Sequence, residues 1–235
     1  MSASRAVAAL LAACLATAAR ATESPRSGSF DLMAGTYLPN IDSEFALKPG
    51  QKGPWEKAMG GARDWMFRAG GYWAPYYGWG TVELGGQIGF YGKTGQGFLL
   101  TGAQSGDSTA FRILPVSAVV TYRFDQLGPN GYQLPIAPYV RLALERYWWW
   151  VNDGTGKTTK VGATNGVSAA LGACLLLDWL DPDAARTMDN NTGINHTYVF
   201  AELRKTNVND FGSSKSWDLS DRGNQSWSFG LLLVY

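Results

Sequence analysis

The sequence predicts an all-β protein: a single eight-stranded antiparallel up-and-down barrel that crosses a membrane. Three observations carry that prediction. Segments of about ten residues in which apolar and polar side chains alternate recur along most of the chain, separated by Gly, Pro, Asn and Asp. Beyond the N-terminal leader, no apolar run reaches the ~18 residues that a transmembrane helix needs. The chain ends with Trp227, Phe229, Leu231, Leu233 and Tyr235 at alternate positions, an apolar last strand that has neither the charge nor the proline that blunts an exposed edge.

The elements follow in order. Residues 1–21 read as a secretory signal, with Arg5 ahead of the apolar run from Ala6 to Ala19 and the small-residue cleavage site Ala19-Arg20-Ala21. Cleavage after Ala21 leaves 22–235 as one barrel domain. The rival processing site is Leu11-Ala12-Ala13-Cys14, where Cys14 would be lipidated. In the first strand Phe30, Leu32, Ala34, Thr36 and Leu38 oppose Asp31 and Tyr37, and in the second Trp65, Phe67, Ala69, Gly71 and Trp73 oppose Arg68 and Tyr72. The clearest alternation is 81–91, with Val82, Leu84, Gly86, Ile88 and Phe90 against Glu83, Gln87 and Tyr91. Leu114 to Phe124 opposes Ser117, Thr121 and Arg123, and Val140, Leu142 and Leu144 oppose Arg141 and Glu145. Val167 to Leu177 is less clean, Thr197 to Leu203 opposes Glu202 and Arg204, and the C-terminal strand is the eighth.

The connections alternate in length. Residues 39–62, 93–108, 152–162 and 210–224 read as long outer loops, whereas 75–78 and 126–134, with Gly128-Pro129-Asn130-Gly131, are shorter inner turns. The exception is 178–195, where Asp181-Pro182-Asp183-Ala184-Ala185-Arg186 reads as a capped single helical turn.

Composition narrows the function. The 235 residues are 46% hydrophobic and 17% charged, with a formal charge of +1, one histidine and no basic run, so no nucleic-acid partner is expected. Losing Arg5 and Arg20 with the leader takes the 20 basic residues to 18 against 19 acids, a near-neutral mature chain. Cys14 and Cys174 are the only cysteines, so the mature chain has no internal disulfide and no cysteine metal site, and Cys174 reads as an inert apolar filler. No cofactor or metal is implied.

With the polar face as lumen, Asp31, Glu83, Glu145 and Glu202 meet Arg68, Arg123, Arg141 and Arg204. Eight strands leave room for side chains and little more, so carboxylates paired with guanidiniums are expected, either as a plug that holds the barrel shut or as the wall of a narrow path. Trp65 and Trp73 at the two ends of a strand, Trp79 beside Tyr76 and Tyr77 at a turn, and Trp148, Trp149 and Trp150 at a loop end read as interfacial girdles. Arg146 is the misfit: alternation points it at lipid, unless it snorkels or a bulge shifts the register.

Catalysis is not expected. His196 has no serine among its sequence neighbours, and Ser105-Gly106-Asp107-Ser108 lacks a nearby base and reads as a turn. The Asp181-Pro182-Asp183 stretch lacks the closing Glu of a twelve-residue calcium loop.

Several stretches resemble a family of outer-membrane β-barrel proteins known mainly from myxobacteria: Ser105-Gly106-Asp107-Ser108-Thr109, Ile113-Leu114-Pro115, Tyr122-Arg123-Phe124-Asp125, Leu180-Asp181-Pro182-Asp183-Ala184-Ala185-Arg186 and Gly193-Ile194-Asn195-His196-Thr197-Tyr198. The likeness runs from Asp31 to Tyr235 with the motifs in the same order, and is least in 95–104 and 215–222. It implies a fold and a location in the bacterial outer membrane, and no catalytic residue or ligand. The expected role is structural or surface binding through the outer loops. The expected partners are outer-membrane lipids and, during biogenesis, the barrel-assembly machinery, which would read the terminal aromatic strand. A narrow conduit for small or apolar solutes is the first alternative. A soluble exported barrel that binds apolar ligands, with its faces inverted, is the second.

Overall fold

A computed structural model of the chain describes residues 26–98, 104–127, 134–213, 216–223 and 225–235. The expected leader and its cleavage site, Cys14 and the expected turn at Gly128-Pro129-Asn130-Gly131 lie outside the described residues. Eight strands, β1 (Gly28–Tyr37), β2 (Asp64–Tyr77), β3 (Thr81–Phe98), β4 (Gln104–Arg123), β5 (Ile136–Asn152), β6 (Thr158–Leu176), β7 (His196–Asn207) and β8 (Ser226–Val234), form one closed barrel in sequence order. Every neighbouring pair is antiparallel, and β8 closes the ring by pairing with both β7 and β1. The apolar C-terminal strand therefore has no free edge to protect.

The alternation of β5 shows which way the sheet faces. Ala137, Tyr139, Arg141, Ala143, Glu145, Tyr147 and Trp149 are buried in the lumen, while Ile136, Val140, Leu142, Leu144, Arg146 and Trp148 point outward. The exterior is the greasy side: Leu142, Leu144 and Leu171 are 62%, 64% and 65% exposed. A continuous apolar band of this kind is untenable in water and is the surface of a membrane-spanning barrel. A soluble ligand-binding barrel requires the opposite faces, so that alternative fails. Gly28 and Tyr235 share one end with the connections 78–80, 124–127 and 177–195. The other end carries 38–63, 153–157 and the described parts of 208–225, with a short helix α1 (Pro54–Met59) in the first.

The long strands correct two of the expected loops. β3 and β4 pair to Gln96↔Ser108 and, past a register shift, at Phe98↔Gln104, so most of 93–108 is strand, and Ser105-Gly106-Asp107-Ser108 lies within β4 instead of forming a turn. β5 and β6 likewise reduce 152–162 to the turn 153–157. These hairpins extend past the apolar band, where both faces meet water, so the apolar half of the alternation vanishes and with it the sequence signal. At the tip, the Asp153 carboxylate accepts from the Thr155 and Lys157 amides, both at 3.0 Å, and from the Thr155 hydroxyl at 2.7 Å. Those donors, the hydroxyl foremost, hold its carboxyl below its ordinary value. A depressed folded value gives a contribution that is complete above the unfolded value and lost as pH falls through the folded one. The protection of the Thr155 and Lys157 amides, their exchange relative to the unprotected rate at the same pH, is expected to fall only in that acidic window, and protection flat across it would refute the assignment.

The inner connection 177–195 also differs from expectation. It holds helix α2 (Pro182–Thr192), three turns where one was read. Asp181 caps it by accepting from the Ala184 amide at 3.0 Å, Pro182 opens it, and Gly193 ends it in the left-handed region at φ 70°. None of its residues is buried, so no apolar stripe marks its length.

Glycine is required where α1 packs on the outer part of β3. A Cβ on Gly95 would lie 2.0 Å from the Ala58 carbonyl oxygen, whereas one on Gly106 would meet nothing within 4 Å. Gly95→Ala is expected to dislodge α1 and speed proteolysis within 38–63 of inserted protein, with Gly106→Ala as the silent control. Equal cleavage of the two variants would contradict the contact.

Candidate functional site: the lumen ion chain and its outer lid

The inward face of the strands collects Asp31, Arg68, Glu83, Arg123, Arg141, Glu145, Glu202 and Arg204 in the lumen, all buried. Six of them form one chain of alternating sign. Asp31 Oδ2 meets Arg141 Nη2 at 2.8 Å, and Arg141 Nη1 meets Glu202 Oε2 at 3.4 Å. Arg204 then bridges Glu202 Oε1 at 2.8 Å and Glu145 Oε1 at 3.4 Å, and Arg68 closes on Glu145 Oε2 at 3.1 Å. Nearer the inner end, Arg123 holds Glu83 at 3.1 Å and Asp125 at 2.8 Å. Every arginine in the set is thus shared between anions or donates to a hydroxyl as well.

Hydroxyls supply much of the remaining hydrogen bonding. Tyr72 donates to Asp31 at 2.8 Å, Tyr139 to Glu202 at 2.8 Å, Ser29 to Glu83 at 2.8 Å and Ser168 to Glu145 at 2.6 Å, and Ser117 donates to Glu145 as well. Arg68 Nη2 donates to the Tyr147 hydroxyl at 2.6 Å. An ion brought out of water costs several kcal/mol, and only excellent geometry with added hydrogen bonds offsets it. This arrangement meets that condition, and it occupies the lumen. The cavity between Met33, Tyr37, Met66, Arg68, Tyr147 and Arg204 holds about 20 Å³, enough for one water.

Above the ions, the outer end is closed by aromatic packing. Tyr37, Tyr91, Phe111, Ile113, Tyr147 and Trp149 from the strands meet Leu38, Ile41, Trp55, Val208 and Leu219 from the connections 38–63 and 208–225. The Trp149 and Trp217 rings stack with centroids 4.3 Å apart, and Trp55 meets Phe111 edge-on at 5.0 Å. Polar ties draw the two loops inward. The Tyr37 hydroxyl donates to the Leu219 carbonyl at 2.5 Å, Arg63 pairs with Asp221 at 2.5 Å, and Asn40 donates to Asp218 at 2.7 Å. Asp42 accepts from the Trp55 and Glu56 amides at 2.7 and 3.0 Å, fixing α1 over the opening. The loops expected to carry surface binding are therefore in part a folded lid.

The exterior aromatics fall at two levels. Trp73, Trp79, Tyr122 and Tyr235 stand outward near the inner end, and Trp65, Trp148, Trp150 and Trp227 near the outer. Trp149 corrects the sequence reading: strand parity turns it inward between two outward neighbours, so it belongs to the lid and not to a girdle. Phe229, Leu231 and Leu233 share the outward face of β8 with Trp227 and Tyr235. Arg146 keeps the regular register opposite Val116, without a bulge. Its guanidinium lies 5.5 Å from the Trp148 ring and donates to Asn165 Oδ1 at 3.0 Å, a snorkelling cation with its own partners.

His196 opens β7 at the inner end. Its Nδ1 lies 2.7 Å from Asp178 Oδ2, and Nε2, the atom a catalytic triad would aim at a hydroxyl, is engaged by Arg26 at 2.5 Å. The arrangement anchors 177–195 to the barrel mouth, with Asp178 also accepting from the Thr197 amide at 3.0 Å.

Two solved bacterial structures are among those similar to this chain. Neisserial surface protein A (NspA) is 13% identical, covering 89% of this chain and 97% of that one, with a TM-score of 0.46. Ail, the attachment invasion locus protein of Yersinia pestis, is 10% identical over the same shares, with a TM-score of 0.42. No protein-family model and no curated protein matches the sequence. Likenesses this distant assign neither family nor function, and the functional reading rests on the chain's own geometry.

Two parts of the site escaped the sequence reading. Asp125 follows β4 in a short 3-10 turn and has no strand parity to mark it. The lid residues of 38–63 and 208–225 carry no periodicity. The lumen tyrosines were detectable, since Tyr72, Tyr139 and Tyr147 fall in step with Arg68, Arg141 and Glu145 along their strands.

Proposed function

We propose that the chain is a bacterial outer-membrane protein with a closed lumen, and that it acts at the cell surface, as a structural or binding component, through the lid and the hairpins around it. The observation that carries this reading is the unbroken ion chain from Asp31 to Arg68 beneath the aromatic lid, which leaves the outer face as the part of the molecule free to meet a partner. It has no part for an enzymatic step, and the engagement of His196 by Arg26 and Asp178 supports that. The motif resemblance to the myxobacterial barrel family accords with the same location. Outer-membrane lipids are the proposed surroundings, and the barrel-assembly machinery the proposed reader of Trp227 to Tyr235.

Topology is the test. Phe211, exposed in 208–225, and Leu180, exposed in 177–195, stand at opposite ends. In intact cells a membrane-impermeant maleimide is expected to label Phe211→Cys at once and Leu180→Cys only after the outer membrane is permeabilised. The native Cys174 is buried and serves as the unlabelled background. Labelling of Leu180→Cys from outside would overturn the surface role assigned to the lid.

A further inference from the structure

On the exterior, outward side chains of five neighbouring strands stand in two adjacent rungs. Register joins Leu84 to Val120, Leu142, Ala169 and Lys205 in one, and Gly86 to Ala118, Leu144, Val167 and Asn207 in the next. A groove of about 730 Å³ runs along them. It dips where Ala118 and Ala169 carry little bulk. Val119, Ala143 and Ser168 line it although their side chains enter the lumen, so strand backbone forms part of its floor. Four interstrand steps of about 4.8 Å make it roughly 19 Å long, the span of an extended acyl chain.

The groove has a direction. Because barrel strands tilt, a rung climbs as it crosses them. Leu84 stands near the inner start of β3, whereas Lys205 stands near the outer end of β7. The apolar floor thus rises from the inner half of the barrel to a cation at the level of the outer leaflet. Lys205 points outward, is exposed, and makes no ion pair or hydrogen bond among the described residues, unlike Arg146 with its Asn165 and Trp148 partners.

We propose that the groove holds an acyl chain of one anionic, phosphate-bearing lipid of the outer leaflet, its phosphate drawn to the Lys205 ammonium beside the Asn207 amide. This rests on the reading that the exterior faces lipid. Charge complementarity selects the occupant: a tail fills the apolar floor, and its charged end arrives where the one unpartnered cation of the groove stands. A zwitterionic headgroup carries its own cation beside the phosphate and so offers the ammonium no net charge to neutralise it.

The test uses protein 22–235 refolded in detergent with phosphatidylglycerol or with phosphatidylcholine of the same chains, washed, and weighed intact by native mass spectrometry. Folding is verified in each sample by the band that shifts on boiling. Wild type is expected to retain one phosphatidylglycerol and little phosphatidylcholine. Lys205→Gln is expected to lower that retention about fivefold, the worth of one surface cation, and Ala169→Trp to abolish it by filling the floor. Both substitutions lie on the outer face and leave the ion chain untouched. Equal retention of the two lipids, or full retention by folded Lys205→Gln, would overturn the proposal. A dimer carrying no lipid would also overturn it, in favour of a second copy in the groove. Failure to shift on boiling would instead count against the membrane barrel itself.

Discussion

Arg141→Met is expected to cost about 3–5 kcal/mol, because it leaves Asp31 buried without its cation and leaves Glu202 with Arg204 alone. Arg141 also donates to Thr121 at 3.3 Å, and its guanidinium lies 5.4 to 5.9 Å from the Tyr72, Tyr139 and Phe200 rings. Methionine fills most of that volume, so the loss reports the stranded Asp31 carboxylate and the broken ion chain and not a cavity. The measurement is the urea midpoint for loss of the fast-migrating folded band in lipid. Arg146→Met, which removes a snorkelling cation from the exterior, is the control and is expected to stay within about 0.5 kcal/mol. If the two variants unfold together, the ion chain does not hold the barrel.

Trp149→Ala is expected to cost about 3–5 kcal/mol through the lid instead of the lumen. It removes the partner stacked on Trp217 and a neighbour of Phe111, whose centroid lies 6.3 Å away. Losing that floor should free 208–225, so that protease added outside sealed vesicles cleaves there while the barrel still shifts on boiling. Trp148→Ala, one residue away and facing outward, should leave the loop protected. The same cleavage pattern in both variants would contradict the inward placement of Trp149.

The contrast between those neighbours shows what the sequence could and could not carry. Where the barrel crosses lipid, each strand has one apolar and one polar face, so parity alone placed Asp31, Arg68, Glu145 and Glu202 on the inner wall and Leu142 and Leu144 on the outer one. Past the apolar band that contrast disappears. The outer reaches of β3, β4, β5 and β6 therefore read as loops, and Trp149 read as one of a trio although parity pointed it inward. Who pairs with whom was equally hidden: that Arg141 serves both Asp31 and Glu202 depends on the stagger of the closed sheet, which no single strand encodes. The lid is assembled from segments far apart in sequence, Trp55 with Phe111 and Trp149 with Trp217, and such contacts leave no local pattern.

The central claim is that ion pairs and the lid close the lumen, and solute leakage tests it most directly. Proteoliposomes carrying residues 22–235 would be loaded with a small fluorescent solute and a salt gradient, with insertion quantified in the same sample by the boiling shift. Vesicles with verified insertion are expected to stay as tight as protein-free ones at every protein-to-lipid ratio. Leakage that grows in proportion to inserted protein, and that changes when Arg141 or Glu145 is neutralised, would show that the lumen is a path and that the closed barrel is wrong.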